Sequence, residues 1–543
     1  MIWTLIWIFL YLSLAVGWTS ADHIPTRKHH KRLEVPFQIG TPVHAVPNVL
    51  PSPSAIAPSS SDSQLHLSPS VHPTDLPRPP PNLPVVLKGD SLQIQPPAPP
   101  QRSNAPGSNS QISNADIPQG PLVMGYYPDW AADTFPPEVL DFGRYDWIDF
   151  AFAVPNADFS LGWDSEDAPD ILRRLVLASH AKRSKVKLSI GGWTGSKYFS
   201  PAVSTPESRQ KFSNNILSTY SLYGLDGVDI DWEYPGHEGN SGNIYDSRDT
   251  RNLLAFLKVL RNTLPPSARI SAAVQTFPFM DEDGEPLSDT SEFAAVLDWV
   301  LIMNYDTWGS SSSPGPNAPL YDACGNSTQP EASALSSYKA WTKSGFPPSQ
   351  LVLGLPAYGY VQKSFAQRLR NRDYEHRGRH GYGGERHHSE HYGHAHSGSE
   401  HGLGDDPEDP DDDRGDGKGD MGGEPDIAPI QITEDENQIQ FRDLVKQGAL
   451  KRADPLPNET SPRYLGTGGF ERIWDSCSET PFLRSAAAGQ VVTYDDPESL
   501  VLKARFAKEA GMLGVNIFDV HGDTADYHLT DSARRGLGLV SGS

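Results

Sequence analysis

From Leu122 onward the chain alternates short apolar runs with longer stretches whose apolar positions recur at three- and four-residue intervals. The runs Leu122–Tyr127, Trp147–Ala153, Val186–Ile190, Gly227–Asp231, Arg269–Val274, Trp299–Met303, Leu351–Leu355 and Leu513–Phe518 have the length and the β-branched and aromatic content of buried strands. Between them Pro169–Ala181, Pro206–Tyr223, Arg248–Leu264, Glu331–Lys343 and Pro497–Ala510 read as helices. Strands apolar on both faces belong to parallel sheets covered by helices. Eight strands in this alternation predict the α/β class and a (β/α)8 TIM barrel over residues 120–540, with functional groups at the C-terminal ends of the strands.

The fourth run departs from that apolar rule. In Leu225-Asp226-Gly227-Val228-Asp229-Ile230-Asp231-Trp232-Glu233-Tyr234, alternation puts Val228, Ile230 and Trp232 on one face and Asp229, Asp231 and Glu233 on the other. Carboxylates in a buried strand are costly unless they are paired or protonated. Like charges two residues apart cannot all ionise, so at least one pKa must rise, and a raised carboxylic acid can protonate a leaving group near neutral pH. Glu233, nearest the C-terminal end, is the best placed donor. Asp226 has the opposite parity and is expected to be a structural hydrogen-bonding residue.

Asp226-x-x-Asp229-x-Asp231-x-Glu233 resembles the signature of family 18 glycoside hydrolases, the chitinases. Other strand ends resemble the same family at the corresponding places: Tyr126-Tyr127 with Asp129-Trp130 beyond, Ser189-Ile190-Gly191-Gly192-Trp193, and Met303-Asn304-Tyr305-Asp306 with Trp308 beyond. The resemblance covers about Leu122 to Leu539. It implies retaining, substrate-assisted hydrolysis of β-1,4 links between N-acetylglucosamine units, a known exception to the two-carboxylate scheme. It further implies Glu233, Asp231, Asp229 and Tyr305 as catalytic residues. Tyr126, Trp130, Gly192, Trp193, Tyr234, Met303, Asp306 and Trp308 form the expected substrate-binding set, with the aromatics as stacking surfaces or, on the plainer reading, barrel packing. Phe518 joins them, standing where chitinases usually carry a Trp beneath the sugar at the cleavage point. No cofactor and no metal are implied. Two other readings stay open: a chitin-binding lectin on the same fold, and an endoglycosidase acting on the chitobiose core of N-glycans. The intact set of acids argues against the first, and the aromatics and the insertion argue against the second.

After Leu353-Gly354-Leu355-Pro356-Ala357-Tyr358-Gly359-Tyr360 the eighth strand is delayed far beyond an ordinary strand-to-helix connection. Within this region, residues 361–495, the stretch 367–426 is low-complexity, first rich in His, Gly and Arg and then in Asp and Gly, and is expected to be a disordered excursion. Its histidines have no packing residues around them to fix a coordination geometry, so no metal site is assigned. Residues 430–495 regain a globular composition and resemble the small α+β insertion domain that many chitinases carry between strands seven and eight.

Composition refines the setting. Of 543 residues, 49 are Pro and 47 are Gly, many of them in two stretches unsuited to packing. Residues 1–21 read as a secretory signal peptide, with an uncleaved anchor as the alternative, and 22–119 as a disordered Pro/Ser-rich linker. A formal net charge of -23 argues against nucleic-acid or anionic-membrane partners and suits a neutral polymer. The two cysteines, Cys324 and Cys477, suggest one disulfide in a secreted protein, although their pairing is not readable from the chain. Asn326-Ser327-Thr328 and Asn458-Glu459-Thr460 are glycosylation acceptors if the chain is secreted. The expectation is a secreted, monomeric enzyme whose partner is chitin or a chito-oligosaccharide.

Overall fold

The computed structural model describes residues 120–309, 313–369, 428–432, 437–453 and 461–539. The expected signal peptide, the linker, all but the first residues of the low-complexity excursion, and the acceptor Asn458 lie outside the described residues.

The eight barrel strands are Leu122–Pro128, Trp147–Pro155, Lys185–Gly191, Gly227–Asp231, Arg269–Val274, Trp299–Ile302, Leu351–Pro356 and Gly514–Phe518, numbered first to eighth below. Each pairs in parallel with its neighbours, and the first pairs with both the second and the eighth, which closes the barrel. The period-2 alternation sorts side chains into two sets. Val123, Ile148, Phe150, Val186, Leu188, Val228 and Ile230 join the cluster that also holds the helix residues Leu172, Leu175, Phe212 and Phe256. Met124, Tyr126, Trp147, Trp299, Leu301 and Val352 form a smaller cluster from the other parity.

The helices Ala168–Ala181, Pro206–Tyr223, Asp249–Thr263, Ala334–Lys343 and Pro497–Glu509 follow the expected order. The fourth begins at Ala334 instead of Glu331 because the Ser333 hydroxyl accepts from the Ser336 amide at 3.2 Å and caps the first turn. A short strand not expected from the pattern, Leu161–Trp163, folds back antiparallel on the second barrel strand. Its turn is held by Asp158 Oδ1, which accepts from the Ser160 amide at 3.1 Å and the Ser160 hydroxyl at 2.6 Å.

The insertion begins at Tyr358, slightly before the expected residue 361. Tyr358–Lys363 pairs antiparallel with Gln438–Gln440 on one side and Gln490–Thr493 on the other, and Thr480–Ser485 and Glu471–Asp475 extend the sheet to five strands. The helix Phe441–Lys446 and a ribbon of Leu450–Arg452 with Tyr464–Gly466 complete it. Cys324 and Cys477 form a disulfide with 5.2 Å between their Cα atoms. The Ala323 amide also donates to the Cys477 carbonyl at 2.9 Å, so the loop after the sixth barrel strand is fastened to the insertion. At the return to the barrel, Asp496 caps the helix Pro497–Glu509 in a reciprocal box with Ser499. Asp495 beside it forms an ion pair with Lys503 in which both side chains are fully buried. Among the described residues no helix is long and apolar enough to cross a membrane.

Candidate active site

The acids of the fourth strand sit at its C-terminal end and are treated very differently by their surroundings. Asp229 is 1% exposed, and both its oxygens accept hydrogen bonds: Oδ2 from Tyr126 Oη and Ser189 Oγ, each at 2.8 Å, and Oδ1 from Ser271 Oγ at 2.5 Å. Asp231 is 4% exposed, and its Oδ1 is buried with no hydrogen-bond partner. Burial, then Glu233 and Asp229 as neighbouring negative charges, hold the Asp231 carboxyl well above the usual carboxylate range. Glu233 lies half-buried at the mouth. Burial pushes its carboxyl up to about 7, a hydrogen bond with Tyr234 opposes the rise, and the charge of Asp306 adds to it. The raised acid expected from alternation is therefore present, and the fully partnered carboxylate and the unpartnered one are successive inward residues of the strand.

The backbone around Glu233 is held on both sides. Its amide donates to Ser196 Oγ at 2.9 Å, and its carbonyl accepts from Asn243 Nδ2 at 3.2 Å. Ser196 in turn donates to the Gly192 carbonyl at 2.9 Å. The glycine pair after the third strand makes this contact possible. Gly191 has φ +116, and a Cβ there would lie 2.0 Å from the Asp231 carbonyl oxygen. The Gly192 amide donates to that same oxygen at 2.8 Å. Gly192, expected in the substrate-binding set, is thus buried and has its amide engaged in positioning the catalytic strand. Cis peptide bonds occur at Ala151–Phe152 within the second strand, at Glu233–Tyr234 just beyond the fourth, and at Phe518–Asp519 at the end of the eighth.

Tyr305, half-buried beyond the sixth strand, has its phenol raised well above its ordinary value by burial and by the charge of Asp231. Gly354 leaves room for it, since a Cβ there would meet the Tyr305 ring at 2.8 Å. Asp306 takes φ 57, a region Asp tolerates better than most residues, and its Oδ1 accepts from Tyr358 Oη at 2.5 Å and Tyr360 Oη at 2.7 Å. These tyrosines open the insertion sheet, so the insertion reaches directly into the site. Phe518 packs among the tyrosines, with ring centroids 5.3 Å from Tyr126, 5.9 Å from Tyr305 and 6.2 Å from Tyr358. It faces the barrel mouth, not the helix layer.

The remaining aromatics divide. Trp130 and Trp193 are 53% and 44% exposed and offer open ring surface, and Trp308 is half-buried with a Cβ at Gly315 placed 2.3 Å from its ring. Tyr126 corrects the expectation of a stacking surface: it is 1% exposed and its hydroxyl is committed to Asp229, so it has no face to present to a sugar. Met303 is half-buried against the interior cluster. Tyr234 lies half-buried beside His237, with ring centroids 5.3 Å apart. Asp226 sits at the opposite end of the fourth strand, where it accepts from the Val186 amide at 3.0 Å, Lys185 Nζ at 2.7 Å and bonds His180 Nε2 at 2.7 Å. These bonds outweigh burial and lower its carboxyl pKa, which fits the structural role expected of it. Among the described residues no cluster of His, Cys, Asp and Glu has the arrangement of a metal site.

Sequence reasoning missed the polar floor beneath Asp229. Asp149, Lys187, Ser271 and Asn516 all lie on inward parity in strands read as apolar, and the alternation test applied to the fourth strand would have found each of them.

The family model described as "Glycosyl hydrolases family 18" matches residues 122–523. The chain is 34% identical over 423 residues to a "chitinase-like effector" of Moniliophthora roreri, covering 77% of this chain and 93% of the relative. It is 26% identical over 414 residues to "Chitinase B" of Serratia marcescens, covering 68% and 71%. A crystal structure of a chitinase from Rhizomucor miehei shares 25% identity and a TM-score of 0.54, covering 77% of this chain and all, 100%, of that one. The chain belongs to family 18 of the glycosyl hydrolases, and its closed parallel barrel is the fold of that family.

Proposed function

We propose that the protein hydrolyses β-1,4 links between N-acetylglucosamine units in chitin or chito-oligosaccharides, with retention and with the substrate's own acetamido group as nucleophile. The observation that carries this reading is the carboxylate series of the fourth strand: Asp229 saturated with donors, Asp231 with a free buried oxygen, and Glu233 at the mouth with its carboxyl pushed up to about 7. At pH 6 such an acid is about nine-tenths protonated and able to donate.

Glu233 gives its proton to the glycosidic oxygen as that bond breaks. The acetamido carbonyl oxygen closes on the anomeric carbon, a step favoured because the groups share one ring system. Asp231, with its open acceptor oxygen, takes the acetamido N–H, and the single negative charge of the Asp229–Asp231 pair offsets the positive charge on the resulting ring. Glu233, now ionised, accepts a proton from water as that water attacks the anomeric carbon from the face the leaving group vacated, which opens the ring and restores both the acetamide and the configuration. Asp229 shares charge with Asp231 through this cycle, Tyr305 orients the acetamido oxygen, Asp306 holds the sugar, and Trp130, Trp193, Trp308 and Phe518 supply apolar faces for pyranose rings. The disulfide and the N-terminal apolar run support a secreted protein.

A second reading, oligosaccharide binding without cleavage, is favoured by the name "chitinase-like effector" carried by two relatives. The presence of the raised Glu233 acid and its partners favours hydrolysis. Digestion of chito-oligosaccharides beside fully deacetylated chitosan tests the proposal. Cleavage of the acetylated substrate alone, with retained configuration, is expected. Equal cleavage of both would remove substrate assistance, and binding without cleavage would support the second reading.

A further inference from the structure

One layer deeper than the catalytic acids, the barrel interior holds a complete ion pair. Lys187 Nζ of the third strand lies 2.9 Å from Asp149 Oδ1 of the second, and both side chains are 1% exposed. The same ammonium is 3.9 Å from Asp229 Oδ1, donates to Ser271 Oγ at 2.5 Å, and stands 4.6 Å from the centroid of the Trp299 ring. Ser271 passes the interaction on, donating to Asp229 Oδ1 at 2.5 Å, while Asn516 of the eighth strand donates to Asp149 Oδ2 at 2.8 Å. A continuous line of donors therefore runs from a buried cation to the first catalytic-strand carboxylate.

Packing does not account for charge at this depth. A Met and Leu of similar volume would fill the layer without desolvating two ions, and replacing buried pairs by apolar residues is often neutral or stabilising. What the ammonium supplies that a methylene cannot is a fixed positive potential beside Asp229, in a medium where charges are poorly screened.

We propose that Lys187 is a positioning residue for the hydrolysis described above, holding Asp229 as the anionic member of the carboxylate pair so that the pair's one proton stays with Asp231. The groups facing this layer are one cation, Lys187, with acids and neutral donors from the surrounding strands. Asp149, Asp229 and Asp231 are the acids. Tyr126 donates to Asp229 from the first strand, and Ser271 and Asn516 are neutral donors from the fifth and eighth strands. The sixth and seventh strands add Trp299 and Val352 to the interior cluster. Asp149 works against Lys187: as a negative charge it raises Asp231, and burial with the Asp229 charge holds its own carboxyl up at about 6 against the lowering effect of Lys187. As pH falls through that value Asp149 takes up a proton, and the potential of Lys187 is left to Asp229.

The sign of the test follows. Hydrolysis needs one ionised member in the pair, so activity falls on the acidic side as the pair takes up its second proton. Removing the cation makes that second proton easier to bind and moves the acidic limb of the kcat/KM profile to higher pH. Lys187→Met is expected to raise the limb by about one unit, roughly a tenfold loss of kcat/KM at a pH on that limb. Because this variant leaves Asp149 buried without its partner, the double variant K187M/D149N provides a neutral layer, with a limb raised in the same direction. Asp149→Asn alone, which keeps the cation, is expected to leave the limb in place or lower it. Folded K187M and K187M/D149N proteins with an unmoved acidic limb would overturn the proposal and leave Lys187 a structural residue. If the wild-type protein does not cleave chito-oligosaccharides, the functional reading fails by itself. The Lys187 assignment is then decided by titrating Asp 13C carboxyl resonances, identified with Asp229→Asn and Asp231→Asn: an upward move of the pair's midpoint in the double variant supports it, and an unmoved midpoint overturns it.

Discussion

Phe518→Ala separates a sugar-binding floor from a packing residue. Its ring meets Tyr126, Tyr305 and Tyr358 at centroid distances of 5.3, 5.9 and 6.2 Å, and it is half-buried. Full burial would make the truncation cost about 3–5 kcal/mol, and partial exposure brings that to roughly half, about 2 kcal/mol. In a folded unit of this size that lowers Tm by only about 2 °C. The loss in binding is a separate quantity. Removing the stacking geometry costs about 0.5–1.5 kcal/mol and the apolar contact with a pyranose face about 1 kcal/mol more. Together, about 2 kcal/mol is a roughly 30-fold fall in kcat/KM. Phe518→Trp restores a wider face and is expected to keep activity or tighten oligosaccharide binding by up to roughly tenfold. Thermal unfolding measured beside kcat/KM on a soluble chito-oligosaccharide distinguishes the roles. A Phe518→Ala protein with the expected Tm loss but wild-type kinetics would refute the floor.

Two further outcomes follow from the electrostatics. Glu233 must be protonated to donate, so with its carboxyl at about 7 the kcat/KM profile should fall as pH rises through about 7; a profile still level at pH 9 would show that another group supplies the proton. Lys503→Met should cost roughly 3–5 kcal/mol by leaving Asp495 buried without its cation, whereas K503M/D495L should recover most of that loss; equal denaturation midpoints for wild type and Lys503→Met would show that the pair contributes nothing.

The barrel and its acids were legible because both rest on local periodicity. Alternation placed Asp229, Asp231 and Glu233 on one face, set Asp226 apart by its opposite parity, and required at least one raised acid among the series. Asp149 and Lys187 follow the same alternation, but each stands in a strand whose apolar residues dominate the pattern, so the ion pair beneath the site is less visible in the chain. Residue type alone leaves Tyr126 between stacking and barrel packing; its place in the strand decides for packing, because it puts the hydroxyl on Asp229 and leaves no ring face open. The contact of Asp306 with Tyr358 and Tyr360 depends on the turn at Asp306 and on where the insertion sheet starts, and the Cys324–Cys477 bond joins residues 153 apart in sequence. Such long-range pairings leave no periodic trace in the chain.

The central claim is that Glu233 transfers the proton in a retaining, acetamido-assisted cleavage, and the direct measurement is product analysis of a chitin hexamer by length and anomer, for wild type and Glu233→Gln. The amide keeps the shape of the acid and loses its transferable proton. The account predicts β-anomeric products at first turnover from the wild type, and from Glu233→Gln intact hexamer that is bound but not cut. Cleavage by a folded Glu233→Gln protein at the wild-type rate, or α-anomeric first products from the wild type, would contradict it.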